Sequence, residues 1–328
     1  MVSVRGVVAA LDAARYERGS RVMSSKPFLR RSASSPSSWP IVAGLGVLWA
    51  LSKGLPFRAQ LALGRAGGRV AHKVVRKRRH AADVNLALCF PERSQEWRDD
   101  LVVKHFEALG MTLFEMAAAW WGSERLHRRL VRLEGMEHVR EAVRNGRGVL
   151  LVACHTTCHE ICGRLISPHM PVKPWAIYKP FKNPAIQGVA HRGRQRYATL
   201  AHRSHLRDVV RHLKDGGVVW YAPDQSEGRG GVLVPFFGEP KLVHTAPARL
   251  ARATGAAVIP LQTARLPGGG YHVILQPPLE DFPNGDEVAD ATRIARLVED
   301  QVRLAPEQYS WYHRRFGKRP GLESPYRL

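Results

Sequence analysis

The sequence predicts a layered α/β fold, with a mainly parallel or mixed sheet flanked by helices, preceded by a helical N-terminal region. Three observations carry this. From Val131 onward, short apolar runs bounded by Gly, Pro or polar residues recur at 148–154 (GVLLVAC), 216–223 (GGVVWYAP), 256–264 (AAVIPLQTA) and 271–279 (YHVILQPPL), as buried strands do. Helical stretches alternate with them, at about 185–197, 206–214 and 246–254. Before Val131 the pattern is helical instead, Leu101, Phe106, Leu109, Leu113 and Met116 leading to the pair Trp120 and Trp121 within 81–121.

Taken in order, residues 1–38 form a basic extension rich in Ser and Arg, broken by Asp12 and so lacking the apolar run of a secretory signal; Met23 is a second candidate start. Residues 39–57 begin with WPIVAGLGVLWAL, an apolar stretch shorter than the ~20 residues that span a bilayer comfortably, with Trp39 and Trp49 suited to an interface. The expectation is a membrane anchor or an interfacial helix. Residues 58–130 are a basic helical lead-in, in which 65–79 (RAGGRVAHKVVRKRR) sets Arg65, Arg69, Lys73, Arg76 and Lys77 at helical spacing with no acid among them. That is a cationic stripe apt for lipid head groups. Residues 131–328 are the α/β core.

A chain of 328 residues with 45% hydrophobic residues can bury a sizeable core. Its 50 Lys+Arg against 28 Asp+Glu leave a net charge of +22, which favours an anionic partner: nucleic acid, a membrane surface or a phosphorylated substrate. Nucleic acid is set aside, because no zinc-finger spacing, RNA-binding aromatic motif or short basic recognition module occurs. The four cysteines, Cys89, Cys154, Cys158 and Cys162, suit no disulfide framework and point to a reducing setting.

Chemistry concentrates in GVLLVACHTTCHEICG at 148–163. If GVLLVAC is a strand, His155 sits in the turn at its end and Glu160 in the first turns of the next helix, where a carboxylate can orient the imidazole and stabilise its protonated form. Cys154, His155, Cys158 and His159 also offer metal-ligand spacing, but no second pair of ligands matches them, so the cysteines read as small fillers of a helix face and no metal is expected. His159 is expected on a different face from Glu160. Asp224, after the strand VVWYA, lies where function collects at a sheet edge, or it serves as a turn former behind Pro223.

The ordered blocks GLGVLWAL, NLALCFPERS (85–94), GMTLFEMAAAWW (110–121), HTTCHE, IYKPFKNP (177–184), GRQR (193–196), VVWYAPDQSEG (218–228), VPFFG (234–238) and QYSWYHRRFGKRP (308–320) resemble the late acyltransferases of lipid A biosynthesis, the lauroyl and myristoyl transferase family of Gram-negative bacteria, over about residues 39–320. The resemblance implies an inner-membrane enzyme, its catalytic domain on the cytoplasmic face. It would move a fatty acyl chain from acyl carrier protein to a hydroxyl of a phosphorylated lipid A precursor, with no cofactor; the alternative is an acyltransferase of the same fold acting on another glycolipid or a glycerophosphate. His155 would be the general base, Glu160 its orienting partner, and Arg194 the group that stabilises the oxyanion or holds a phosphate. Substrate contacts are implied at Tyr178, Lys179, Asn183, Arg196, Asp224, Arg314 and Arg315. The last two are suited either to binding phosphate bidentately or to a surface basic patch. The chain departs from the family's Tyr-Arg-Pro at Tyr178, Lys179 and Pro180, where Lys keeps the charge but not the planar donor fork.

Overall fold

A computed structural model describes residues 39–202, 205–225 and 231–327; the extension expected at 1–38 lies outside the described residues. Helices α1 (Trp39–Gly54), α2 (Phe57–Val74), α3 (Arg76–Cys89), α4 (Gln95–Trp121) and α5 (Glu124–Leu130) precede the first strand, β1 (Val131–Glu134). Then follow α6 (Met136–Arg144), β2 (Val149–Val152), α7 (His159–Ile166), β3 (Trp175–Tyr178), α8 (Pro184–Gln195), β4 (Thr199–His202), α9 (Leu206–Lys214) and β5 (Val218–Tyr221). The hairpin β6 (Gly231–Phe236) and β7 (Glu239–His244), α10 (Ala246–Thr254), β8 (Ala257–Arg265), β9 (Tyr271–Leu275) and α11 (Glu287–Leu304) complete the fold.

Seven strands form one sheet in the order β1-β9-β8-β2-β5-β3-β4, with β6 and β7 paired apart from it. Neighbours are parallel except β8 and β9, so the expected mixed, mainly parallel sheet is present. The four residues of β2, Val-Leu-Leu-Val, are buried on both faces, since helices cover the sheet on each side. Local chemistry sets the helix ends. Ser94 caps α4 by accepting from Trp97 N, Asn183 caps α8 ahead of Pro184, and Asp286 caps α11.

Two N-terminal expectations change. Among the described residues no helix is long and apolar enough to cross a membrane, so the spanning form of the anchor is not supported. α1 has 16 residues, about 24 Å at 1.5 Å per residue, against a hydrocarbon core of about 30 Å. None of its side chains is buried. The cationic stripe is also divided: the chain breaks at Val75 between α2 and α3, and Glu107 of α4 reaches Arg69 at 2.5 Å and Arg65 at 3.7 Å. An acid on a neighbouring helix cannot be seen in the stripe itself.

Helices α2 and α4 approach closely because glycines face each other. A Cβ on Gly68 would lie 2.1 Å from the Phe106 carbonyl oxygen, and one on Gly110 2.0 Å from that of Gly64. Gly67, one residue away, faces open space. Gly67→Ala should therefore stabilise the protein by about 0.5–1 kcal/mol through helix propensity. Gly68→Ala should instead destabilise it by about 1–3 kcal/mol through overpacking. Urea midpoints of the two variants test this, and equal effects would refute the close-packed seam.

Candidate active site

Strands β2 and β5 are parallel neighbours with Val152 beside Tyr221. His155 and Asp224 each lie three residues beyond those partners, so the register carries both to the same edge of the sheet, at the C-terminal ends of the strands. There His155 Nδ1 lies 2.5 Å from Asp224 Oδ1, and the His155 backbone N–H donates to Oδ2 at 3.2 Å. An ionised carboxylate can only accept, so Nδ1 carries a proton, and in the neutral ring the lone pair is then on Nε2.

Asp224 is held ionised. Burial alone would raise its carboxyl, but the His155 imidazole and then the Arg315 guanidinium outweigh it and hold the group well below the usual carboxylate range. Arg315 Nη1 donates to Asp224 Oδ2 at 2.9 Å, with both side chains sealed from solvent. The other end of the guanidinium donates to the Ser310 carbonyl, and its plane sits over the Tyr309 ring at 4.2 Å. Ser310 in turn donates to the His155 carbonyl through both N and Oγ. A strap of chain near residue 310 therefore clasps the histidine turn and its acid together.

The expected pairing of His155 with Glu160 does not occur. Glu160 opens α7 and turns into the protein, where its carboxylate accepts from Trp120 Nε1 at 2.8 Å, Tyr197 O–H at 2.5 Å, and Arg194 through Nε at 2.9 Å and Nη2 at 2.6 Å. Burial pushes this carboxyl up, but the charge and hydrogen bonds of Arg194 overcome it and hold it at about 2. The physical reason is helix geometry: α7 packs against α4, so the first-turn carboxylate meets Trp120 of α4 and Arg194 of α8 and not the turn it follows. His159 also departs from expectation. Its Nδ1 donates to the Thr156 carbonyl, and its Nε2 is 4.0 Å from Glu160 Oε2, both side chains bordering a cavity.

That cavity, of about 340 Å³, opens at the ends of β2, β3 and β5. Its walls are mainly apolar, from Trp175, Ile177, Leu200 and Trp220, and His155, His159, Glu160 and Arg194 share its lining. Arg194, which lines the cavity, is held on Glu160 through Nε and Nη2.

Comparison with known proteins identifies the family. The profile of the family described as "Bacterial lipid A biosynthesis acyltransferase" matches residues 27–318. The chain belongs to this family. It is 37% identical to the lipid A biosynthesis lauroyltransferase of Escherichia coli (strain K12), over 93% of this chain and 100% of that protein. It is 36% identical to the palmitoleoyltransferase of the same organism, over 88% of this chain and 94% of the relative. The corresponding figures for its myristoyltransferase are 28%, 92% and 94%. The protein is an acyltransferase.

Within this family member the remaining expected residues divide. Tyr178 and Lys179 line the cavity. Asn183 spends its side-chain oxygen on the backbone N–H groups of Ala185 and Ile186, as the cap of α8. Arg196 donates to the Trp120 carbonyl at 2.5 Å, and Arg314 is exposed over the Tyr326 ring, both apart from the cavity lining. Arg315, expected on a substrate phosphate, is instead buried on Asp224. Trp120, Tyr197 and Ser310 also belong to the site, a role the sequence does not indicate, because an indole, a phenol and a hydroxyl carry no charge or spacing signal.

The cysteines are all reduced and buried. Cys158 and Cys162 pack in one core cluster and Cys154 in another. Among the described residues no group of three or more His, Cys, Asp or Glu is arranged to hold a metal ion.

Proposed function

We propose that this acyltransferase carries out a secondary acylation in lipopolysaccharide biosynthesis, moving a fatty acyl chain from acyl carrier protein to a hydroxyl of a lipid A precursor, with His155 as general base and Asp224 as the carboxylate that orients it. The observation that carries the reading is the 2.5 Å contact of His155 Nδ1 with a fully buried carboxylate, beside a cavity walled by apolar rings. Nε2 takes the proton of the acceptor hydroxyl, whose oxygen attacks the thioester carbonyl. Arg194 stabilises the oxyanion, Glu160 holding the guanidinium for that purpose. As the carbon–sulfur bond breaks, the imidazolium returns its proton to the departing thiolate. The apolar walls take the acyl chain.

The names of the relatives, lauroyl-, palmitoleoyl- and myristoyltransferases of lipid A biosynthesis, support lipid A as the acceptor class and a fatty acyl chain as the group transferred. The N-terminal helices support work at a lipid surface, which the family resemblance implies is the cytoplasmic face of the inner membrane. α1 exposes Trp39 and Val47, and α2 exposes Leu63, Val70 and Val74 on a chain carrying +22. Such a surface lies on anionic lipid without spanning it.

The test is mass spectrometry of lipid A from a host lacking its late acyltransferases. Wild-type protein should add the mass of one acyl chain, and His155→Ala should not. Unchanged lipid A in the presence of well-expressed, folded wild type would overturn the assignment of acceptor.

A further inference from the structure

Asn85, the first residue of the NLALCFPERS block, lies on α3 and is wholly buried. Its side chain does nothing for its own helix. Nδ2 donates to two carbonyls of the C-terminal strap, those of Trp311 at 2.6 Å and His313 at 2.7 Å. Oδ1 accepts from the Tyr326 hydroxyl, which itself accepts the Phe316 backbone N–H at 2.9 Å. The strap is thus pinned on both sides of Arg315, and Arg315 is the residue that ties Asp224. Three bonds end on this buried amide, both N–H groups and the oxygen being used, where an apolar side chain would leave the two carbonyls of the strap without these donors.

We propose that Asn85 is a positioning residue for acyl transfer: it fixes the strap that carries Ser310 and Arg315, and so aligns Asp224 and His155 without touching substrate. The inference rests on the assignment of His155 and Asp224 in the proposed function. The chain of contacts is continuous. Asn85 holds the carbonyls of Trp311 and His313, Arg315 spans from the Ser310 carbonyl to Asp224, and Ser310 grips the His155 carbonyl at 2.6 Å through Oγ. Without the amide, the strap loses the anchors on either side of residue 312. Arg315 and Ser310 then shift together, moving base and acid in concert.

The experiment is steady-state acyl transfer from acyl-loaded carrier protein to a lipid A precursor, using full-length protein shown to be folded by circular dichroism. Asn85→Ala should lower kcat by about 10-fold to 100-fold, the usual loss when an orienting partner behind a functional group is removed, and leave KM within about 2-fold. A double-mutant cycle separates positioning from stability. Because Asn85 acts through Arg315 as well as Ser310, Asn85→Ala should cost clearly less in an Arg315→Ala background than in the wild type. Tyr326→Phe, which removes one hydroxyl, serves where Asn85→Ala does not fold, and should lower kcat several-fold with the same lack of additivity.

The inference is overturned if the folded variants keep wild-type kcat, or if the losses at Asn85 and Arg315 multiply. Failure of the underlying reading looks different: Asp224→Asn would then stay active, whereas an inactive Asp224→Asn beside a fully active Asn85→Ala sinks only the role of Asn85.

Discussion

Asp224→Asn is expected to lower kcat by about 10³-fold to 10⁴-fold, the scale seen when the carboxylate behind a catalytic imidazole becomes an amide. Size and shape are conserved, so the turn after β5 keeps its course and the cavity its walls. What changes is the proton. Asp224 accepts from His155 Nδ1, from the His155 backbone N–H and from Arg315 Nη1. An amide has one oxygen for these three donors. If that oxygen stays with Arg315, the amide N–H₂ faces Nδ1, moves the imidazole proton to Nε2 and removes the base. If it stays with Nδ1, the imidazolium formed during transfer has lost the charge that stabilised it. The variant should also be less stable, because Arg315 keeps its positive charge in a sealed site. Rates are therefore measured well below its unfolding transition. Activity within about 10-fold of wild type in Asp224→Asn, together with an inactive but stable Glu160→Gln, would return the orienting role to Glu160.

How far this pairing can be read from the sequence depends on distance along the chain. Helices α9 and α10 end where the sequence places them, at 206–214 and 246–254, because their amphipathic patterns and turn residues are local. The same is true of His155 in the turn after β2 and Glu160 in the first turn of α7. The partner of His155 is not local. It depends on β5 lying beside β2, an order that the helices between them set and that neither strand's residues declare. Sequence proximity favoured Glu160, five residues away, over Asp224, 69 residues away; the parallel register reverses that. Arg315 misleads for a related reason. An arginine in a basic run reads as a phosphate ligand, and only the return of the strap over the sheet edge buries it against an acid. The division of the stripe at 65–79 likewise needs Glu107, which sits on another helix.

Glu160→Ala should destabilise the protein by about 3–5 kcal/mol, because it leaves the Arg194 guanidinium without its counter-ion. Arg194 is mostly buried, with 16% of its side chain exposed, and three of its contacts end on this one carboxylate. The Trp120 indole and the Tyr197 hydroxyl would lose their acceptor as well. Acid should expose the same energy in the wild type. The folded carboxyl is held at about 2, below its ordinary 4.5. A depressed carboxyl contributes its full stability above the unfolded value and loses it as pH falls toward the folded one, here between about 4.5 and about 2. The shift is worth roughly 3 kcal/mol. Asp224 is depressed too, so the wild-type slope in this window is steeper than Glu160 alone would make it. The difference between wild type and Glu160→Gln isolates the share that belongs to Glu160. Urea midpoints taken across that window should fall more steeply for the wild type than for Glu160→Gln. At neutral pH the Gln variant should already be the weaker, since Arg194 then faces a neutral amide. Equal midpoints at neutral pH and parallel slopes in acid would mean that the Glu160–Arg194 pair is not the structural wall of the cavity, and that its carboxylate is free to serve the chemistry.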